Sequence, residues 1–204
     1  MFMHEALMYT FEGLDGAGKT TQVRELRTHF ESQGLQVAVC ISPSRTTLGQ
    51  FIRGHLSDLD PWLKDRLFVL DMQHSIANLP SNTQLVLWDR YVDSIYSSNK
   101  ETGLRDVEEL AKDLPAPHRT FFLDIPPEIS WEREGQVSDH PLDLEWLRMK
   151  YERYSLLSQK YPDRFFRVDA TQSLMGVREN LIARIRQDIM EIDSIERNVL
   201  QYIG

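Results

Sequence analysis

The octapeptide Gly13-Leu14-Asp15-Gly16-Ala17-Gly18-Lys19-Thr20 constrains this chain more than any other stretch. It follows an apolar run, Ala6 to Phe11, and precedes a segment from Thr21 to Glu31 with helical periodicity. Strand, glycine-rich loop and helix in that order form a phosphate cradle. Successive backbone N–H groups turn inward, and the helix N-terminus adds its positive dipole end. Gly13, Gly16, Ala17 and Gly18 supply the loop, and Thr21 carries the chain into the helix. Lys19 can reach the β- and γ-phosphates of a nucleotide, and Thr20 can offer its hydroxyl to Mg²⁺. The alternative is a glycine-rich turn with an incidental lysine. The motif implies phosphate binding; it does not separate a kinase from a GTPase or a motor.

At 204 residues the chain can bury a substantial core as one domain, residues 1–204. No apolar stretch reaches membrane-spanning length, and Met1 to Met8 lacks the basic and long apolar regions of a signal peptide. A single cysteine, Cys40, leaves no internal disulfide framework and no cysteine-based zinc site. It ends a strand-like run and is expected to be a buried core thiol. A cytoplasmic setting is the expectation. The net charge of −8 argues against nonspecific binding to nucleic acid or membrane surfaces, which needs a basic face. Nucleotides remain open as ligands, because a few local Arg and Lys residues suffice for a phosphate.

Five short apolar runs read as buried strands: Leu7–Phe11, Gln36–Ile41, Leu85–Trp88, Thr120–Leu123 and Phe165–Val168. Between them lie segments with helical spacing: Thr21–Glu31, Pro61–Leu79, Val107–Leu114, Leu144–Tyr161 and Leu174–Ile203. Pro61 suits a first helical turn. The alternation predicts an α/β fold with a mainly parallel five-stranded sheet covered by helices on both faces. Ligands then bind at the carboxyl ends of the strands. The last helix, about residues 173–203, carries an apolar stripe that reads as core-facing, with dimerisation as the alternative.

Two of those strand ends carry charge. Leu85 to Trp88 runs into Asp89, and an acid so placed commonly holds Mg²⁺ through water. Its alternative is a cap for the helix that follows. Arg90 beside it points to a second phosphate group, or to a surface ion pair. Arg45, in Ser42-Pro43-Ser44-Arg45-Thr46-Thr47, marks the end of the second strand. Two arginines near one phosphate loop suggest a site for two phosphorylated ligands. Asp15, inside the loop, is a metal or hydroxyl contact close to the point of transfer, or a residue that favours the turn.

Taken together these motifs resemble the thymidylate kinase family, in the nucleoside monophosphate kinase group of phosphate-loop proteins. The resemblance rests on Phe11 to Gln22, on Asp89-Arg90-Tyr91-x-x-Ser94, on Leu123 to Glu128 with Arg133, and on Val168-Asp169-Ala170-Thr171. It implies the nucleoside monophosphate kinase fold with a short lid, about 133–142, and ATP and Mg²⁺ held by the loop, Lys19, Thr20 and Asp89. Ala170 would lie near the adenine, and Asp15 near the acceptor's sugar hydroxyl and the metal. Arg45 and Arg90 would clamp the acceptor phosphate, Phe68 would stack on its base, and Arg133 would neutralise charge on the transferring group. Nucleotide substrates and a homodimer packed through helices are further implications.

The chain departs from the family at identifiable places. Met72 stands where an Arg usually reads the thymine, and Ser98-Asn99 replaces a Tyr-Gln pair after Ser94. The loop after the second strand carries Ser-Pro-Ser-Arg-Thr, and Gly16 occupies a position that can hold an Arg. The lid segment has one arginine, Arg133, with His140 near the place of another. The acceptor is expected to be dTMP or a related pyrimidine deoxynucleotide. The alternatives are a different or modified nucleotide or nucleoside acceptor, and a nucleotide-binding protein with little transfer activity.

Overall fold

The computed structural model describes residues 6–134 and 143–203, with backbone only at 193 and 195–203. His140 and residues 135–142 of the expected lid lie outside the described residues. The elements run in the order β1 (Leu7–Glu12), α1 (Lys19–Glu31), β2 (Val37–Ile41), α2 (Thr47–Gly54), α3 (Pro61–Ala77), β3 (Leu85–Asp89), α4 (Val92–Ser98), α5 (Leu104–Leu110), β4 (Arg119–Asp124), α6 (Pro127–Glu134), α7 (Leu144–Lys160), β5 (Phe165–Asp169) and α8 (Leu174–Ile203). The strands form one sheet, all parallel, in the order β2-β3-β1-β4-β5. The expected α/β class and five-stranded sheet are therefore observed.

Side-chain alternation divides the core between the two faces of the sheet. Tyr9, Phe11, Leu85, Leu87, Phe121 and Leu123 pack with Val23, Leu26 and Phe30 of α1 and with Val177, Leu181 and Ile185 of α8. Met8, Val86 and Trp88 pack with Val69 and Met72 of α3, Ile95 of α4 and Val107 of α5. From Val177 to Ile189 the α8 stripe is thus core-facing, while Leu174 at its start is exposed and Ile195 and Val199 lie outside the described side chains.

Helical periodicity did not pick out three helices, α2, α4 and α6, although a helix after Asp89 and one leading into the lid were expected on other grounds. The segment expected at Val107–Leu114 is a helix from Leu104 to Leu110. Cys40 is a second correction. It is half-buried, because β2 is an edge strand with its neighbour Val39 exposed. Burial still pushes its thiol up to about 11, which keeps it protonated and unreactive.

The strand order places the site. β3 lies on one side of β1 and β4 on the other, so successive connections leave β1 in opposite directions. In register, Phe11 lies beside both Asp89 and Phe121. The crevice opens where the chain leaves β1, at Gly13.

Candidate active site

The turn from β1 into α1 is enforced by its glycines. Gly13 has φ +138, and a Cβ there would stand 2.5 Å from the Leu123 carbonyl oxygen. Gly16 (φ +71) packs 3.0 Å from the Arg133 Cβ when given a Cβ of its own. Gly18, at φ +88, caps α1 without a side-chain bond, so the first N–H groups of the helix remain for a ligand. Lys19 is almost fully buried and donates to the Gly13 and Leu14 carbonyls at 3.0 and 2.6 Å. Burial, with Arg90 nearby, pushes its ammonium down to about 7.

β3 and its exit supply the facing wall. Thr20 Oγ1 donates to Asp89 Oδ2 at 2.5 Å. Arg90 is the one described non-glycine residue with positive φ, at +67. Its N–H extends the ladder to Phe11 O at 3.1 Å, and its guanidinium pairs with Asp15 and lies 3.5 Å from Gly13 O. Burial alone would raise the Asp15 carboxyl. Arg90, Lys150 and Lys19 more than offset that and hold it far below the usual carboxylate range.

Lys150, on α7, was not singled out in the sequence. It is 3% exposed, its Nζ lies 3.3 Å from Asp15 Oδ2, and it sits over the Trp146 ring at 4.5 Å. Burial pushes it down to about 8. The signal was its position: Leu147, Lys150, Tyr154 and Leu157 are the buried residues of α7, so a lysine occupies a core-facing stripe. Ser130 of α6 was also missed. Its Oγ donates to Asp15 O at 2.7 Å, while Arg133 donates to Gly16 O at 3.0 Å and lies 3.5 Å from Ala170 O. Arg133 is exposed at the last turn of α6, resting on the phosphate loop.

Glu12 closes the floor. Its buried carboxylate accepts from Tyr91 N (2.7 Å), Ser94 Oγ (2.5 Å) and Tyr154 OH (2.7 Å). Burial, and the charge of Asp93, push it up to about 7.

A cavity of about 550 Å³ brings Asp15, Thr20, Asp89, Arg90, Ser94 and Lys150 together with Phe68, Met72, Ser98 and Asn99. Asn99 is tied down: its Nδ2 donates to Asp65 Oδ2 at 2.9 Å, and Thr102 Oγ1 donates to the same oxygen at 2.5 Å. Arg45 is exposed and does not line this cavity; Arg53 and Lys64 do. The loop bearing Arg45 is instead fixed by buried Asp71, which accepts from Ser44 N and Ser44 Oγ, both at 2.6 Å.

No helix among the described residues is long and apolar enough to cross a membrane. The sequence pattern of the family described as Thymidylate kinase matches residues 11–181. Similar curated relatives include a thymidylate kinase of Bifidobacterium longum, 32% identical over 91% of this chain and 98% of the relative. A thymidylate kinase of a Thermoanaerobacter species is 30% identical over 87% of this chain and 96% of its own. A probable thymidylate kinase of Methanosarcina barkeri is 31% identical over 87% and 95%.

Proposed function

Because the chain belongs to the thymidylate kinase family, we propose that it transfers the γ-phosphoryl group of ATP to dTMP, releasing ADP and dTDP. The observation that supports this reading is one cavity lined both by phosphate-loop residues and by the aromatic and apolar pair Phe68 and Met72. A donor phosphate site and a flat, apolar base site share one space, as transfer between two nucleotides requires.

The residues fit a magnesium nucleotide. Gly13 and Gly16 keep open a loop that a Cβ would crowd, and Thr20 and Asp89 offer the hard oxygen donors that Mg²⁺ prefers. When bound, the metal neutralises charge on the β- and γ-phosphate oxygens. Lys19 exchanges its two loop carbonyls for phosphate oxygens. Asp15, held ionised, accepts a hydrogen bond from the acceptor's sugar hydroxyl. Arg90 clamps the acceptor phosphate, a task its planar fork suits. Arg53 and Lys64 stand nearer to that task than Arg45 does. Arg133 exchanges the Gly16 carbonyl for the transferring group. Adenine is placed near Ala170, and Phe68 stacks on the acceptor base. A homodimer is part of the same proposal, supported by the exposed Trp62, Leu63 and Leu70 of α3; sedimentation tests it.

ADP release with ATP, Mg²⁺ and a panel of monophosphates and nucleosides tests the reading. dTMP is expected to give the fastest turnover, and Lys19→Ala to reduce it about 10²- to 10³-fold. The Asp65 carboxylate beside Asn99 favours one second reading, a pyrimidine monophosphate that presents an amino group in place of the thymine carbonyl. ADP release with such a nucleotide, and none above background with dTMP, would replace the first reading by the second.

A further inference from the structure

We propose that Lys150 binds the phosphate of the acceptor nucleotide, supplying from α7 the second cation that the chain lacks between α6 and α7. The inference rests on the acceptor reading above.

Sequence and geometry converge on it. Between Arg133 and Arg148 there is no Lys or Arg. Both of those arginines are engaged elsewhere. Arg148 pairs with Glu128 at 2.8 Å, and Arg133 rests on backbone carbonyls. Lys150 follows two residues after Arg148, on the buried side of α7, and lines the cavity with Asp15, Asp89 and Arg90.

An ammonium has three donors. Among the described residues Lys150 has one hydrogen-bond partner, Asp15 at 3.3 Å, and that carboxylate is shared with Arg90. A buried charge so thinly partnered is costly unless a ligand completes it. The local charges lead to the same need. Lys19, Arg90 and Lys150 face Asp15 and Asp89, while Glu12 is occupied by Tyr91, Ser94 and Tyr154. Three cations thus converge on Asp15, and a phosphate monoester brings them negative charge and several acceptor oxygens. Core packing gives no reason for a lysine here. Leu147 and Leu157 show what the same stripe takes elsewhere on α7.

A competing explanation is that Lys150 only neutralises Asp15. Calorimetric titration with dTMP and with thymidine, which lacks the phosphate, separates the two. Lys150→Gln is expected to lose about 10- to 100-fold in dTMP affinity, the range for a hydrogen bond to a charged group. Thymidine affinity should change less than about threefold, and Lys150→Arg should restore most of the dTMP affinity. Lys150→Met, which keeps the apolar stem, should show the same selective loss and serves if the glutamine variant folds poorly. Equal losses for nucleotide and nucleoside, or no loss for either, overturn the proposal. So does disappearance of the dTMP-specific loss when Lys150→Gln is made on an Asp15→Asn background. The acceptor reading fails separately. Absent turnover of dTMP by the wild type overturns the base assignment, whereas the role of Lys150 is read from the nucleotide-over-nucleoside preference, whichever base the pocket takes.

Discussion

Thr20 Oγ1 donates to Asp89 Oδ2 across 2.5 Å, tying the first turn of α1 to the end of β3. Both residues line the cavity, and they are the donor pair proposed above for the metal. Asp89→Asn keeps the shape and removes the charge. We expect activity at limiting Mg²⁺ to fall about 10- to 100-fold, with partial recovery at saturating Mg²⁺. A loss independent of Mg²⁺ concentration would assign Asp89 to the structure of the turn alone.

The glycines of the loop are not equivalent. At Gly13 an alanine is opposed twice, by φ +138 and by the Leu123 carbonyl at 2.5 Å. At Gly18 only the φ of +88 opposes it, since nothing lies within 4 Å of a Cβ there. Left-handed backbone costs about 1–2 kcal/mol for an L-residue, and forced overlap in a packed region adds about 1–3 kcal/mol. Gly13→Ala should therefore lower the melting temperature roughly twice as far as Gly18→Ala, at about 2–4 °C per kcal/mol. The reverse order would contradict the close approach of β4 to the loop.

Phe68 offers a test of the base site that is independent of the phosphates. Stacking of a base on an aromatic ring is worth about 1–3 kcal/mol. Phe68→Ala should raise KM for the acceptor about 5- to 150-fold while kcat changes only a few-fold, because the ring contributes equally in ground and transition states. A kcat that falls in parallel would show that the ring positions the reacting phosphate as well.

The phosphate loop was legible in the sequence because its function is local. Glycine spacing, a lysine and a threonine define a backbone shape within eight residues. The strands were legible because a parallel sheet covered on both faces leaves continuous apolar runs. The helices α2, α4 and α6 were not legible as periodic patterns, though Asp89 as a cap and the resemblance around Arg133 pointed to the last two. They are 8, 7 and 8 residues long, too short for a helical period to repeat convincingly. Cys40 shows the limit of apolar runs, which do not distinguish an edge strand from a central one. Arg45 and Arg53 show another: both follow β2, and only the tertiary path of α2 brings Arg53 to the cavity. Lys150 and Ser130 reach Asp15 from 135 and 115 residues away, a proximity that no local pattern encodes. What the sequence did carry for Lys150 was its misfit, a cation on the stripe of Leu147, Tyr154 and Leu157.

Glu12 makes stability depend on pH in a definite direction. Burial, with Asp93 nearby, raises its folded value to about 7, above the 4.5 of an exposed glutamate. Between those values the folded chain holds a proton on Glu12 that the unfolded chain has released. The Glu12 contribution therefore falls as pH rises from about 4.5 to about 7, and is flat above that. A gap of this size corresponds to at most about 3 kcal/mol. Glu12→Gln has no proton to lose. Its amide would meet the Ser94 and Tyr154 hydroxyls that now donate to Oε2, so the variant should be less stable than the wild type at pH 5. By pH 8 the difference should shrink by about 2–3 kcal/mol, because the wild type then holds a buried carboxylate and the variant does not. Urea unfolding of both proteins at pH 5, 6, 7 and 8 measures the gap directly. Taking the difference cancels the opposite trend from Asp15, whose depressed value makes its contribution fade as pH drops below the ordinary carboxylate range. A gap that is constant or widens with pH would mean that the three donors around Glu12 outweigh its burial, and that the floor of the cavity carries a full negative charge under neutral conditions.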